Sequence, residues 1–212
     1  MPVVARVLTV DPHEPDGALV AEALHVLRDG GVVAFPTETF YGLGADARSA
    51  SACDLVFELK ERPPDKAFPC IVSGLPQAEE WALEVDEAAR TLARRFWPGP
   101  LTLVLAARPG LAASSIDGGI AVRASSLRLA RDLAEGLGGP ITATSANRSG
   151  EPATTTASQA SSLGPGIELT LDGGPCPGGL PSTVVDVRRF PPRLVREGRV
   201  PFAEVSRALG LS

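Results

Sequence analysis

Apolar residues recur along this chain in two rhythms, and the changes between them predict a mixed α/β protein. From Pro15 to Arg28 they return every three or four positions, at Leu19, Val20, Ala23, Leu24 and Leu27, the spacing of one helical face. Gly30 and Gly31 stop that helix. Val32, Val33, Ala34 and Phe35 follow as a short, fully apolar strand. Further helices are expected from Ser51 to Leu59, Gln77 to Leu83, Asp86 to Phe96 and Leu127 to Leu137. A last one is expected from Pro201 to Leu209, opened by proline, which suits a first helical position. Strands are expected from Val3 to Leu8, Cys70 to Ser73, Leu101 to Leu105, Ile120 to Arg123 and Pro140 to Ala143, and then from Ile167 to Leu171, Thr183 to Val187 and Leu194 to Arg196. Pro36 to Asp46 reads as a loop, Trp97 to Pro100 as a turn, and Thr154 to Ser162 as a weak helix or a loop.

Strands and helices alternate with no fixed-period repeat and no long Pro/Gly/Ser linker. Residues 1–212 therefore read as one α/β (α+β) domain, an open, twisted, mixed sheet with flanking helices. No run approaches the roughly 20 apolar residues of a membrane span. The N-terminus lacks the basic flank and apolar core of a signal peptide, so a cytoplasmic protein is expected. The three cysteines form no C-x-x-C pair, and neither His13 nor His25 lies near one. No metal centre is expected, and the cysteines read as small buried apolar groups. The net charge of −5 argues against a generic coat for nucleic acid and leaves RNA binding to a local patch.

Lysine use changes the picture. The chain holds eighteen arginines but only two lysines, Lys60 and Lys66, within seven residues of each other. A compact ammonium charge is wanted there, as at phosphate sites, or two lysines have fallen together by chance. In Lys60-Glu61-Arg62-Pro63-Pro64-Asp65-Lys66 the prolines favour an extended path, on which Lys60 and Arg62 would face one side and gather an anion. A solvated charge run at a helix end is the plainer reading. Pro36-Thr37-Glu38-Thr39-Phe40-Tyr41-Gly42-Leu43-Gly44-Ala45-Asp46 brings hydroxyls and glycines to the end of a buried strand. That suits close approach of a ligand, or only a strand-to-helix connection. Ser145 and Asn147, two apart after a strand, stand at a common ligand position of α/β sheets, or bond locally to their own loop. Ser182, Arg123 and Arg196 are further candidates. No histidine sits where a triad would need its base, so a reaction run by positioning and charge neutralisation suits the inventory.

Six segments in order resemble the YrdC-like family of threonylcarbamoyl-AMP synthases: residues 36–46, Lys60-x-Arg62-Pro63 with Asp65-Lys66, Phe96-Trp97-Pro98-Gly99-Pro100-Leu101-Thr102, Ser145-Ala146-Asn147 with Ser149-Gly150, Ser182 to Asp186, and Arg196-x-Gly198. The resemblance implies a YrdC-like fold with a concave, positively lined cavity. It implies that Lys60, Arg62, Ser145 and Asn147 form a polar tetrad around nucleotide phosphates. Thr37, Arg123, Ala143 (through its backbone) and Ser182 would lie near threonine, and Pro64, Gly119, Ala153 and Arg196 near ATP. Many members carry Pro and His two and four residues after the arginine matched by Arg123, where this chain has Ser125 and Leu127. The chain ends soon after Gly198, which reads as the short form without the extra C-terminal domain of longer relatives.

The implied reaction joins L-threonine, bicarbonate and ATP into threonylcarbamoyl-AMP and pyrophosphate, helped by Mg2+. The product is expected to pass to the machinery that modifies tRNA, with a weak tRNA contact and no membrane partner. Two rival readings stand beside it. One is an RNA-binding or ribosome-associated factor of the same fold. The other is a carbamoyl-transferring relative, whose cysteine pairs this chain lacks.

Overall fold

The first helix begins where a carboxylate caps it. The computed structural model describes residues 6–61, 68–115 and 117–211. After β1 (Arg6–Thr9), Asp16 accepts a bond from the Ala18 amide and starts α1 (Gly17–Arg28), which buries Ala23, Leu24 and Leu27 from the predicted face. β2 (Val32–Pro36) is buried throughout and turns back into β3 (Tyr41–Gly44). Ser49 caps α2 (Ala50–Lys60), and β4 (Pro69–Ile71) and α3 (Leu75–Trp81) follow. Asp86 caps α4 (Glu87–Phe96), which leads to β5 (Leu101–Ala106), β6 (Gly119–Arg123) and α5 (Arg128–Leu137). The chain closes through β7 (Ile141–Thr142), β8 (Thr144–Ser145), α6 (Ala157–Ser161), β9 (Ile167–Asp172), β10 (Thr183–Asp186), β11 (Arg193–Arg196) and α7 (Phe202–Ala208).

The mixed α/β architecture is as expected, with its strands divided between two sheets. A five-stranded sheet runs β1-β9-β2-β3-β8 and a six-stranded sheet runs β11-β10-β5-β6-β4-β7. Two local expectations need correction. The stretch 36–46 is no plain loop: Tyr41–Gly44 pairs antiparallel with β2, because the 37–40 turn folds the chain back on itself. The strand expected from Pro140 to Ala143 is also two pieces. β7 pairs with β4 in one sheet, and β8, one residue later, pairs with β3 in the other. Residues 3–5 of the expected first strand lie outside the described residues.

The five-stranded sheet is covered on both faces, with Val32, Ala34 and Leu43 packed among Ala52 and Val56 of α2 and Ala160 of α6 on one side. The six-stranded sheet buries one face under helices. Leu24 and Leu27 of α1 and Leu129 and Leu133 of α5 pack on Val33, Phe35, Leu169 and Leu171. Leu101, Leu103 and Leu105 of β5 with Ile120 and Val122 of β6 share a second core with Leu92 of α4 and Val205 of α7. Strand alternation then sends Thr102, Val104, Gly119, Ala121 and Arg123 to the opposite face of the six-stranded sheet, where a cavity opens.

Thr142 sews the sheets together beside the crossing. Its hydroxyl donates to Leu43 O at 2.9 Å and accepts from Ala45 N at 2.9 Å, and its amide donates to Ala45 O at 2.9 Å. Thr142→Val keeps the shape but leaves the buried Ala45 amide without its acceptor. Urea unfolding is expected to show a loss of about 1–3 kcal/mol, with the denaturant slope unchanged.

Candidate functional site

The cavity holds about 1340 Å³ and lies between the two sheets. Its floor is the alternating set on β5 and β6, continued by Val184 and Asp186 of β10 and by Val195 on the edge strand β11. Gly119 and Ala121 keep that floor low. Its far wall is the 37–40 turn, β3 and β8, all from the five-stranded sheet.

One end of the cavity is organised by the C-terminus of α2. Lys60 is 4% exposed, and its ammonium donates to Ser145 O at 2.5 Å and Asn147 O at 2.7 Å. Lys60 O in turn accepts from the Ser149 amide at 2.9 Å, and Arg148 pairs with Glu61 at 2.7 Å. The helix end therefore grips the whole 145–149 loop. Asn147 donates its amide N–H groups to Arg148 O at 2.9 Å and Glu151 O at 2.7 Å, while its buried Oδ1 has no hydrogen-bond partner among the described residues. The compact ammonium serves both carbonyls from a buried position, which suits lysine here in an arginine-rich chain. The extended path assumed for Lys60 and Arg62 is corrected: Lys60 is the last helical residue, and Glu61 turns left-handed at φ 49°. Arg62 and Pro64 lie outside the described residues.

The other end gathers guanidinium and hydroxyl groups. Arg123, at the end of β6, is 4% exposed and donates to Glu38, which also accepts a bond from Ser125 Oγ. Burial pushes the Arg123 pKa down, and Glu38 opposes that. Ser182 Oγ lies 2.9 Å from Thr102 Oγ1. Arg196 has an exposed stem, yet its head folds back to donate to Ser182 O at 3.0 Å and Ser182 Oγ at 3.3 Å. Desolvation of that head, and then the charge of Arg123, both lower its pKa. Gly198 fits this fold because a Cβ there would stand 2.2 Å from Pro181 O. Thr37 fixes its own turn, donating to Phe40 O at 2.7 Å and accepting from the Thr39 and Phe40 amides at 3.3 Å.

Ten sequence-derived candidates thus border one cavity: Thr37, Lys60, Gly119, Arg123, Ala143, Ser145, Asn147, Ala153, Ser182 and Arg196. Sequence reasoning misses Glu38 and Ser125 as partners of Arg123, although both lie within or beside the motifs it singles out. It also misses Asp117 and Asp186, which line the cavity. Arg188 pairs with them at 2.9 and 2.7 Å, and the Asp117 pKa falls to about 2, chiefly through its bond from Arg188. The cysteines are buried and free of disulfides. Burial raises the Cys53 thiol to about 12 and the Cys176 thiol to about 11, so neither is a nucleophile near neutrality. Among the described residues no group of three or more His, Cys, Asp or Glu side chains gathers to hold a metal ion. Among them, too, no helix is long and apolar enough to cross a membrane.

A family model described as telomere recombination, covering Sua5, YciO and YrdC, matches residues 25–198. The threonylcarbamoyl-AMP synthase of Pyrococcus abyssi is 43% identical over 188 residues, covering 87% of this chain and 55% of that protein. The chain thus spans about half the length of that relative. A putative threonylcarbamoyl-AMP synthase of Mycobacterium tuberculosis is 34% identical over 204 residues, covering 95% of this chain and 93% of its own length. The crystal structure of P. abyssi Sua5 complexed with L-threonine superposes with a TM-score of 0.89 at 38% identity, over 96% of this chain and 61% of that one.

Replacing Lys60 with Met keeps the stem and deletes both bonds to the loop. The expected loss is about 2–4 kcal/mol in urea unfolding, with faster amide exchange at residues 145–149.

Proposed function

The chain belongs to the Sua5/YciO/YrdC family, and from that membership we propose that it condenses L-threonine, bicarbonate and ATP into threonylcarbamoyl-AMP, water and pyrophosphate. One observation carries the reading. A single cavity joins the Lys60–Ser145–Asn147 end to the Arg123–Ser182–Arg196 end. At about 1340 Å³ it is larger than a pocket for one small ligand, roughly 300–1,000 Å³, and has room for a nucleotide and an amino acid side by side.

In this reading Lys60, Arg62, Ser145 and Asn147 gather the phosphates, with Pro64, Gly119, Ala153 and Arg196 along the nucleotide. Thr37, Arg123, Ser182 and the Ala143 backbone orient the amino acid. The threonine amine and bicarbonate give a carbamate and water. A carbamate oxygen attacks the α-phosphorus, and its bond to the pyrophosphate oxygen breaks. Two anions must meet, so the positive groups act by screening their repulsion. Arg123 takes the carboxylate in its guanidinium fork. The described carboxylates gather into no metal cage, so Mg2+ would arrive on the nucleotide, as part of that substrate. The adduct is proposed to feed a tRNA-modifying transferase in the cytoplasm.

Incubation with ATP, bicarbonate and each amino acid in turn tests this, scored for pyrophosphate and an AMP adduct by mass spectrometry. Threonine alone is expected to give both in full. Salt-sensitive RNA binding without turnover would favour the RNA-binding reading. Lys60→Ala and Arg62→Ala are each expected to cut threonine-dependent pyrophosphate release by about a hundredfold or more, the scale of a lost transition-state charge partner. Undiminished turnover in both variants would rule out the phosphate role.

A further inference from the structure

Arg123 has an asymmetric setting that the proposed function leaves unexplained. Its guanidinium borders the cavity, while the carboxylate that neutralises it does not. Both side chains are buried, Arg123 at 4% and Glu38 at 8% exposure, and Glu38 has one oxygen on Arg123 and the other on the hydroxyl of Ser125, itself fully buried. Ser125 is held in turn. Its hydroxyl accepts from Leu127 N at 3.2 Å, and its carbonyl accepts from Arg131 at 2.5 Å. Glu38 also springs from a rigid base, since the Thr37 hydroxyl closes the turn on either side of it.

We propose that Glu38 and Ser125 are positioning residues for Arg123, fixing the plane of its guanidinium so that its remaining N–H donors meet the carboxylate of the amino-acid substrate. The inference rests on the threonine-binding reading given above. Three features separate it from a buried ion pair that only stabilises the fold. Both partners are buried, but only Arg123 lines the cavity, so the pair is placed with its cation on the cavity side. A long arginine stem has several rotamers, and a planar fork binds a carboxylate in two-point fashion only when its plane is set. The Arg196 head is close enough to feel the Arg123 charge, so without Glu38 two cations would face each other across the amino-acid end. Ser125 completes the clamp by occupying the oxygen of Glu38 that Arg123 leaves open, which stops the carboxylate from swinging.

Kinetics and binding on three variants test this. Glu38→Gln keeps an acceptor for Arg123 but removes the charge, and Ser125→Ala keeps the charge but frees the carboxylate to rotate. Glu38→Asp keeps the charge on a shorter arm. Glu38→Gln is expected to raise KM for threonine about tenfold or more, and Ser125→Ala about threefold, with KM for ATP changed by less than about twofold, as for lost substrate positioning. Glu38→Asp should recover part of the loss seen in Glu38→Gln. Calorimetric titration of L-threonine into each protein should weaken in the same order, with melting temperature recorded in parallel. If wild type binds threonine and Ser125→Ala and Glu38→Gln bind it equally well, the positioning role is overturned while the functional reading stands. If KM for ATP and threonine rise together with a falling melting temperature, the pair is structural only. If wild type neither binds nor turns over threonine, the functional reading falls, and this inference falls with it. Should Glu38→Gln fail to fold, Ser125→Ala decides alone.

Discussion

The chain passes from one sheet to the other across a single residue, Ala143, and the architecture depends on that crossing. β7 closes the edge of the six-stranded sheet and β8 closes the edge of the five-stranded one, so the two edges are pinned within one residue of each other. Thr142 satisfies backbone groups of β3 and of Ala45 from the side, and the Ala143 amide donates to Pro69 O at 2.7 Å. With the edges fixed, the cavity-facing rows of both sheets are held opposite each other. The gap between them is set where backbone bonds and the Thr142 hydroxyl tie the two edges together.

Charge is distributed in that gap by the same economy. Three of the cations along it have compensating groups. The carbonyls of Ser145 and Asn147 serve Lys60, Glu38 serves Arg123, and Asp117 and Asp186 serve Arg188. An isolated buried charge would cost several kcal/mol, so the fold keeps these positive groups along the cavity by giving each a partner on its protein side. Among the described residues Asn147 Oδ1 stands out against that pattern as a buried acceptor without a donor.

The helices were legible because their periodicity is long and their caps are local: Asp16, Ser49 and Asp86 all precede the elements they start. β3 was not legible, because Tyr-Gly-Leu-Gly becomes a strand only when β2 and a two-residue segment about a hundred positions away flank it. The split at Ala143 was hidden because a run such as Ile-Thr-Ala-Thr-Ser reads as one strand whichever sheet each half joins. The candidates that line the cavity lie in short motifs, but the bonding partners of their side chains are not legible there. Glu38 and Arg123 lie 85 positions apart, and nothing local in either segment announces the other. The end of α2 misled for a related reason. Two prolines argue for extension, yet Glu61 adopts a left-handed turn that local sequence does not signal.

The opposing walls of the cavity belong to different sheets. A molecule that reached from the floor at Gly119 and Ala121 to the wall at Thr37 and Ser145 would act as a rivet through the seam. Occupancy would then add to the resistance of the whole body to unfolding by mass action, rising with the ratio of ligand concentration to its dissociation constant. Small residues on one wall and hydroxyls on the other thus make the fold's durability a reporter of what it holds.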